Sequence, residues 1–486
     1  MGRGGNVFIP GEEVFGSISE WAPDPGSVVC WHPSPTSLAK VRQAPISPVP
    51  PSPQQARHLR NFRDHAARGA KMSRLCIGSW DMPGQCDIRV LTYVINTHLR
   101  RHDTYHSWFE INDADQIVRH KLRKPADINC VPVKHGEMTP AAWREHILDT
   151  PSPWQWDCFR FAIIQRADHW TFCFAIDHLY IDAQFLGALR LELYLMYTAL
   201  LAGGAPVSLP PAGSYEDYCV RQHRYTSSLT LDSPPIRAWV DFFESNDGSL
   251  PDPPVSLGDG SGPCDLMFDR LLDERQSAEF ESACIAAGGR FSGGVFSCAA
   301  LAQHELTGAE TYYGLVAIDT RGTPAEFMTV GWFTGFVPIT IPVHPSSFGE
   351  TVRAAQKSFD ANKDLAHIPF SRVLELAPWL SMPQQRVPLL FHLDASSPPL
   401  STIVKADWNG QNLKIHHDGG VPARFDLRVN RYENETQVIV FFPDNPIARE
   451  SVTRYISTLK SLFVSIAEGG AAAALRNGAQ RQRQLV

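Results

Sequence analysis

Apolar residues fall into short continuous runs and helical spacings in both halves of the chain. The run Phe159–Gln165 and the run 170–176 are dense in aromatic and β-branched residues, which predicts a pair of strands. They lead into Asp177-His178-Leu179-Tyr180-Ile181-Asp182-Ala183 and then into residues 184–201, whose pattern predicts a long helix. A His and an Asp therefore stand four residues apart at a strand-to-helix turn, where a side chain can be aimed off the sheet edge toward a substrate.

Elsewhere the same reasoning places the remaining elements. Residues 1–55 read as irregular, with Pro45, Pro48, Pro50, Pro51 and Pro53 forming an extended surface strap rather than an SH3-type ligand. A helix begins near Ser52, with Gln54, Ala56, Leu59 and Phe62 at helical spacing and Pro53 in the tolerant first turn. Residues 75–80 read as a strand, and Ile88–Arg101 as an amphipathic helix carrying Leu91, Val94, Ile95 and Leu99. The stretch 101–109 passes from helix end into strand, Ile117–Lys121 is a further strand, and residues 139–148 form a helix capped by Thr139.

Between residues 201 and 263 Pro, Gly and Ser become dense, interrupted by helices at 215–225 and 235–245, and the boundary between halves is placed here. Beyond it come a strand at 266–272, helices at 273–287 and 293–306, and strands at 311–317 and 337–343. A helix at 348–363, a strand at 389–393, paired strands at 425–432 and 436–442, a closing helix at 448–467 and a frayed tail complete the chain. Strands and helices mix without β-α-β alternation, so the fold class is α+β. No glycine fingerprint follows a strand and no P-loop is present, which argues against nucleotide-binding folds.

Composition narrows the function classes. The 486 residues suffice for two to three domains at roughly 100–200 residues each. Net charge is −7, from 44 basic and 51 acidic residues, which offers neither a nucleic-acid footprint nor attraction to anionic lipid. The ten cysteines form no C-x-x-C pair and read as free buried thiols in a reducing compartment. The N-terminal ten residues lack an apolar signal core. The longest charge-free stretch, 193–215, is broken by Gly203, Gly204, Pro206, Pro210 and Pro211, well short of the ~20 residues a bilayer span needs. The expectation is a cytoplasmic protein, with peripheral contact at the inner face of the membrane left open.

His178 is the leading chemical candidate. An imidazole titrates near neutral pH and can take the proton of an alcohol as it attacks an acyl carbon, a contribution of ~10²–10⁴-fold. Asp182 either bonds the imidazole directly, as in a triad, or locks the turn through an ion pair with an arginine, and spacing leaves both open. His98, His102 and His106 have a zinc-like i, i+4, i+8 spacing, but the turn at Asp103-Thr104-Tyr105 takes His106 off the helix and no fourth ligand lies near in sequence. His416-His417-Asp418 reads as an exposed loop. Ser261, within the glycine-rich run 258–262, is out of place for a nucleophile elbow, which argues against a serine hydrolase.

Taken together, these motifs resemble a known superfamily. Residues 177–183 are similar to the H-H-x-x-x-D-G motif of condensation domains and their acyltransferase relatives. The run 101–109 resembles the R-H-x-x-L-R-x-x-F motif, Asp319-Thr320-Arg321 the N-R stretch, and Gly331-Trp332-Phe333-Thr334-Gly335 with Pro338 the G-x-F-x-N-x-x-P motif. Phe425-Asp426-Leu427 matches a further F-D-L signal, so the likeness covers residues of about 50–460 in order. The segments 21–27, 96–110, 209–218 and 331–342 are most similar to the mycobacterial polyketide-associated acyltransferases, especially those that acylate trehalose.

The resemblance implies two chloramphenicol-acetyltransferase-like subdomains, each a two-layer sandwich, meeting as a V-shaped pseudo-dimer with a tunnel between them. Residues 1–212 would carry the H-x-x-x-D motif, and residues 213–486 the crossover and latch segments. His178 matches the catalytic base, and Asp182 the structural Asp that pairs with an arginine, for which Arg321 is the matching position. An acyl-CoA or a polyketide synthase carrier would donate, and trehalose or a trehalose ester would accept, with no covalent intermediate, no cofactor and no metal. The implied protein is a monomer that contacts a polyketide synthase. An amide-forming condensation enzyme and a catalytically silent lipid-binding scaffold are the competing readings. The chain departs from the motifs at Asp177, Ala183 and Gly335, which stand where the family has His, Gly and Asn.

Overall fold

In the computed structural model, residues 15–182, 184–383, 387–397, 411–422 and 425–469 are described. The strands of the first half are β1 (Phe15–Ser17), β2 (Ser27–Pro33), β3 (Leu75–Pro83), β4 (Ser107–Ile111), β5 (Ile117–Lys121), β6 (Cys130–Glu137), β7 (Phe159–Gln165) and β8 (His169–Asp177). Those of the second are β9 (Cys264–Asp273), β10 (Thr311–Asp319), β11 (Thr334–Pro342), β12 (Pro388–Asp394), β13 (Lys414–His417), β14 (Phe425–Arg431) and β15 (Glu435–Pro443). They form a seven-stranded sheet of order β1-β13-β3-β8-β7-β2-β6, a six-stranded sheet of order β11-β10-β12-β14-β15-β9, and the ribbon β4-β5.

Each large sheet carries its own core. Continuous apolar runs make β7 and β8 buried on both faces, as a central strand requires. On one face Val29, Trp31, Phe172 and Phe174 pack with Leu91 and Leu99 of the helix Ile88–Arg101 and Leu189 and Leu193 of the helix Phe185–Leu201. On the other, Val28, Cys30, Ala162 and Ala175 pack with Trp143 and Ile147 of the helix Pro140–Leu148. The second sheet is covered by the helices Glu274–Ala286, Phe291–Thr307, Phe348–Asn362 and Pro446–Ala467. This is the α+β architecture expected.

Three stretches depart from the sequence reading. Residues 15–55 are not irregular: they contain β1, the internal strand β2 and the helix Pro35–Arg42. Prolines bound β2 without interrupting Val28–His32, so every amide of its centre can join a ladder. The polar edge strand β6 shows no apolar alternation because only one of its flanks is paired. The Pro-rich segment behind β2 is a strap as expected, held where the Ser47 amide donates to Arg119 O at 2.7 Å and the Lys121 amide to Pro45 O at 3.0 Å.

The third departure is His416-His417-Asp418, expected to be an exposed loop. His416 and His417 lie in β13, which leaves the second half and inserts between β1, in parallel, and β3, antiparallel. His416 is buried and stacks on Trp21 at 4.7 Å between ring centroids. Asp418 Oδ2 accepts from the amides of Arg74 at 2.8 Å and Leu75 at 2.9 Å. Such long-range pairing leaves no local signature in the pattern of residues. Residues 1–14, Ala183 and the tail from 470 onward, including its expected fraying, lie outside the described residues.

Among the described residues no single helix is long and apolar enough to cross a membrane. Asp418→Ala strips three amides, those of Arg74, Leu75 and Gly420, of one charged acceptor. We expect a loss of about 1–3 kcal/mol in denaturant unfolding, with faster hydrogen exchange at the Arg74, Leu75 and Gly420 amides.

Candidate active site

β8 ends at Asp177, and the chain turns through His178 to Asp182 before entering the helix Phe185–Leu201. Buried hydrogen bonds fix this turn. Asp177 is fully buried, and its Oδ1 accepts from His58 Nε2 at 2.7 Å and from the Leu179 amide at 2.9 Å. Its Oδ2 accepts from Arg74 Nη1 at 2.8 Å. Burial works to raise the Asp177 carboxyl, but His58 and Arg74 hold it below its ordinary value. The first motif position, a departure from the family pattern, is thus an ionised anchor beneath the turn.

His178 donates its backbone amide to Arg74 O at 2.9 Å, and its ring faces Trp332 at 5.9 Å. Trp332 also packs edge-on against His58 at 5.5 Å. Both His178 and Trp332 line a cavity of about 2580 Å³ that opens between the two halves. On the second-half side its wall includes Leu266, Val387, Leu389, Phe391, Ile439 and Phe441, with the charged Asp426 and Arg428 of β14 set between them.

Asp182 and Arg321 meet at this junction. Asp182 Oδ2 accepts from Arg321 Nη1 at 2.7 Å and from the Phe333 amide at 3.0 Å, while Oδ1 accepts from the Gln184 amide at 3.1 Å. Arg321 donates further to Asp319, Glu326 O and Thr329 O, and its guanidinium lies 4.2 Å from the Phe333 ring centroid. Burial pushes the Asp182 carboxyl above its ordinary value while Arg321 opposes it. Burial likewise works against the Arg321 charge, but Asp182 and Asp319 hold its pKa above the ordinary value. Gln184 Nε2 adds a second bridge between halves, donating to Asp319 Oδ2 at 2.8 Å.

Gly335, where the family motif has Asn, has a steric reason. A Cβ there would stand 2.1 Å from Ala366 O. The backbone at residue 366 passes too close for any side chain.

Some site residues carry no signal in the sequence. The helix Pro53–Ala67 turns the polar side chains of Gln54, Gln55 and His58 inward, all buried. Gln54 Nε2 donates to Thr334 O at 2.8 Å and Gln55 Nε2 to Leu179 O at 3.1 Å, so one helix holds both motif loops. Their i, i+1, i+4 spacing is visible, but polar residues at a helix face read as solvent-facing.

The zinc-like histidines resolve differently. His98 and His102 do converge, with Glu192 from the helix Phe185–Leu201, whereas His106 instead contacts Arg100 O. Glu192 accepts from His98 Nδ1 at 2.9 Å, His102 Nε2 at 3.0 Å and Arg101 Nε at 2.8 Å. His102 Nδ1 accepts from the Val330 amide of the second half at 3.3 Å. Both ring nitrogens of His102 are thus committed to hydrogen bonds, and the motif acts as a polar clasp between halves.

Comparison with known proteins places the chain. Residues 78–392 match the family model of the condensation domain. "Acyltransferase PapA3" of Mycobacterium tuberculosis is 51% identical over 462 residues, covering 95% of this chain and 98% of that protein. "Trehalose-2-sulfate acyltransferase PapA2" of Mycobacterium bovis is 54% identical over 458 residues, covering 93% and 97%. "2'-acyl-2-O-sulfo-trehalose (hydroxy)phthioceranyltransferase PapA1" of Mycobacterium tuberculosis is 52% identical over 469 residues, covering 96% and 91%. A solved structure of "PapA2 acyl transferase" superposes with a TM-score of 0.90 at 52% identity, over 93% of this chain and 99% of that one. The first condensation domain of the calcium-dependent antibiotic synthetase, 17% identical, shares the fold with a TM-score of 0.63 over 86% of this chain and 96% of that one. The fold is therefore that of the condensation domains. The chain belongs to that family and, within it, to the polyketide-associated acyltransferases represented by PapA1, PapA2 and PapA3.

Two tests follow from the geometry. Arg321→Met leaves a buried carboxylate without its cation and should cost about 3–5 kcal/mol, seen as a fall in melting temperature. The double variant Asp182→Asn/Arg321→Met should lose less than the sum of the two single changes. The second concerns pH. Burial lowers His102 to about 4 against the pull of Glu192, and burial, His417 and Lys414 lower His416 to about 4. Between these values and the ordinary histidine range the unfolded chain binds more protons than the folded one. Stability should hold above about pH 6.5 and fall as pH drops toward 4, by on the order of 1 kcal/mol per pH unit for each imidazole. Calorimetric melting across that range checks the slope.

Proposed function

We propose that this protein transfers a long-chain or polyketide-derived acyl group from a thioester to a hydroxyl of trehalose or a trehalose glycolipid, with His178 as general base. The observation that carries the reading is the position of His178: on a cavity wall between the halves, on a turn held by the buried Asp177 and Asp182 anchors. The sugar acceptor is drawn from the relatives, two of whose names specify sulfated trehalose.

In this scheme the His178 imidazole takes the hydroxyl proton as the oxygen attacks the thioester carbonyl. The tetrahedral intermediate collapses, the C–S bond breaks, and the proton passes from the imidazolium to the departing thiolate. The acyl group moves in one displacement, without an acyl-enzyme. Asp182 and Arg321 touch no reacting atom. Their part is to hold the turn and the 319–335 loop in register across the cavity. The apolar side chains of this wall, Leu266, Leu389, Phe391, Ile439 and Phe441, suit an acyl chain, with the Arg428 guanidinium lying over the Phe391 and Phe441 rings.

The donor is acyl-CoA or an acyl chain on a polyketide synthase carrier, and the latter would make the synthase a partner at the cavity mouth. The division at residues 212 and 213 belongs to the same reading, with β13 as the segment that crosses back into the first sheet.

His178→Ala should lower transfer from an acyl-CoA series to trehalose-2-sulfate by ~10²–10⁴-fold while circular dichroism and melting temperature stay close to wild type. Near-wild-type turnover by this variant would overturn the mechanism. Supplying an amine acceptor beside the sugar, with products read by mass spectrometry, separates ester from amide formation.

A further inference from the structure

A second cluster of chemically capable side chains lies away from the cavity. Cys30 and His32 stand two residues apart on β2 and so share one face of the sheet, the face covered by the helix Pro140–Leu148. That helix contributes His146. The fourth member, His135, comes from the edge strand β6. The β2–β6 register slips there, pairing Val28 with Gly136 and Val29 with Lys134, so His135 is the extra residue of a bulge. Bulges re-aim side chains, and this one brings the His135 ring 5.7 Å from that of His32 and 5.0 Å from that of His146.

One donor atom from each of the four residues lies within 4.8 Å of all the others, and Cys30 Sγ is 3.0 Å from His146 Nε2. A tetrahedral zinc ion, with bonds of about 2.0–2.3 Å to nitrogen and sulfur, needs donors about 3.3–3.7 Å apart. Small side-chain rotations reach that arrangement.

Hydrogen bonding accounts for Cys30 and His146, which bond each other and, for His146, Arg160, but not for the other two members. Neither the His32 nor the His135 ring hydrogen-bonds to any described residue, although His32 is half-buried. No carboxylate belongs to the group that would favour protonated rings. Burial, Arg160 and the neighbouring imidazoles hold His146 down to about 3, and burial, Arg160 and His135 lower His32, so both rings present lone pairs at neutral pH. The pair on β2 lies far along the chain from the other two, Cys30 being 116 positions from His146, so no local spacing hints at a metal.

We propose that Cys30, His32, His135 and His146 form a tetrahedral site for a zinc-type divalent ion, which staples the edge strand β6 and the helix Pro140–Leu148 to the first sheet. The ligand set, one thiolate and three imidazoles, suits Zn²⁺ or Co²⁺ and not the hard cations Mg²⁺ or Ca²⁺. Binding releases the Cys30 proton to solvent. Arg160 is the neighbouring charge to be accommodated: its Nη1 lies 2.8 Å from His146 Nε2, and its Nη2 donates to Asp149 O at 3.0 Å. With the ion bound, Nη1 gives up His146 and the guanidinium stays tethered through Asp149. Its charge favours the thiolate form of Cys30, opposing the burial that otherwise pushes that thiol up to about 12. None of the four ligands lines the cavity that contains His178, so the site is independent of the acyl-transfer reading.

The test uses the full-length protein, stripped with a chelator and titrated with Co²⁺. One equivalent should produce the intense visible band of tetrahedral cobalt and a near-ultraviolet thiolate-to-metal band, both erased by Zn²⁺, with a rise in melting temperature. His135 is exposed, so His135→Ala leaves the fold intact; it should weaken binding by at least ~10-fold, the lower end of what loss of even an outer partner costs. Cys30→Ser should remove the thiolate band. A wild-type protein that shows no tetrahedral spectrum with excess Co²⁺, or a spectrum and affinity unchanged by His135→Ala, would overturn the proposal.

Discussion

The ion pair between Asp182 and Arg321 is the interaction on which the geometry of the cavity depends. Both side chains are almost wholly buried, and they come from opposite halves of the chain. Neither charge could be left in that environment alone, since an unpaired buried ion costs several kcal/mol. The pair therefore closes only when both loops are in place. Asp182 reports the second half through the Phe333 amide, and Arg321 reports the first through Asp182. The turn that carries His178 is rigid for the same reason that the two halves stay together.

Around this pair a small set of polar contacts repeats the same logic. The helix Pro53–Ala67 touches both motif loops through Gln54 and Gln55 and braces Asp177 through His58. His102 couples the buried Glu192 network to the Val330 amide. Tyr215 donates to Trp332 O and shares a hydroxyl–hydroxyl bond with Ser52, and the Tyr218 and Thr320 hydroxyls bond each other. Hydrophobic burial acts mainly within each half, with Val330 and Leu413 of the second packed into the core of the first, and the remaining contacts of the junction are polar and directional. Such contacts specify a single relative placement, which a reaction between two bound substrates requires.

The fold is legible in the sequence where local pattern and burial coincide. β7, β8 and the helix Phe185–Leu201 are strong apolar runs, and the pattern of residues alone marks their junction, and with it His178. It is less legible where context decides. β2 is framed by prolines, β6 is a polar edge, and β13 draws its partners from residues about 340 and 400 positions away. Gln55 and His58 are polar residues on an inward face, so amphipathic reading sends them to solvent. Arg321 has no local distinction, and only the likeness of its surroundings to a known motif selects it. In the case of Gly335, sequence comparison reveals a departure but not its cause, which is the backbone at Ala366.

The insertion of β13 between β1 and β3 also constrains the order in which the chain can fold. Until residues 414–417 emerge from the ribosome, the outer flank of β3 has no partner and β1 has nowhere to pair. The first half must wait through the synthesis of most of the second with an open strand edge, a surface prone to wrong pairing. The loop closed by the β1–β13 pairing spans about four-fifths of the chain, which places its formation late and makes it slow. A protein truncated shortly before residue 414 would retain every residue of the His178 turn yet lack the strand that completes the sheet behind it.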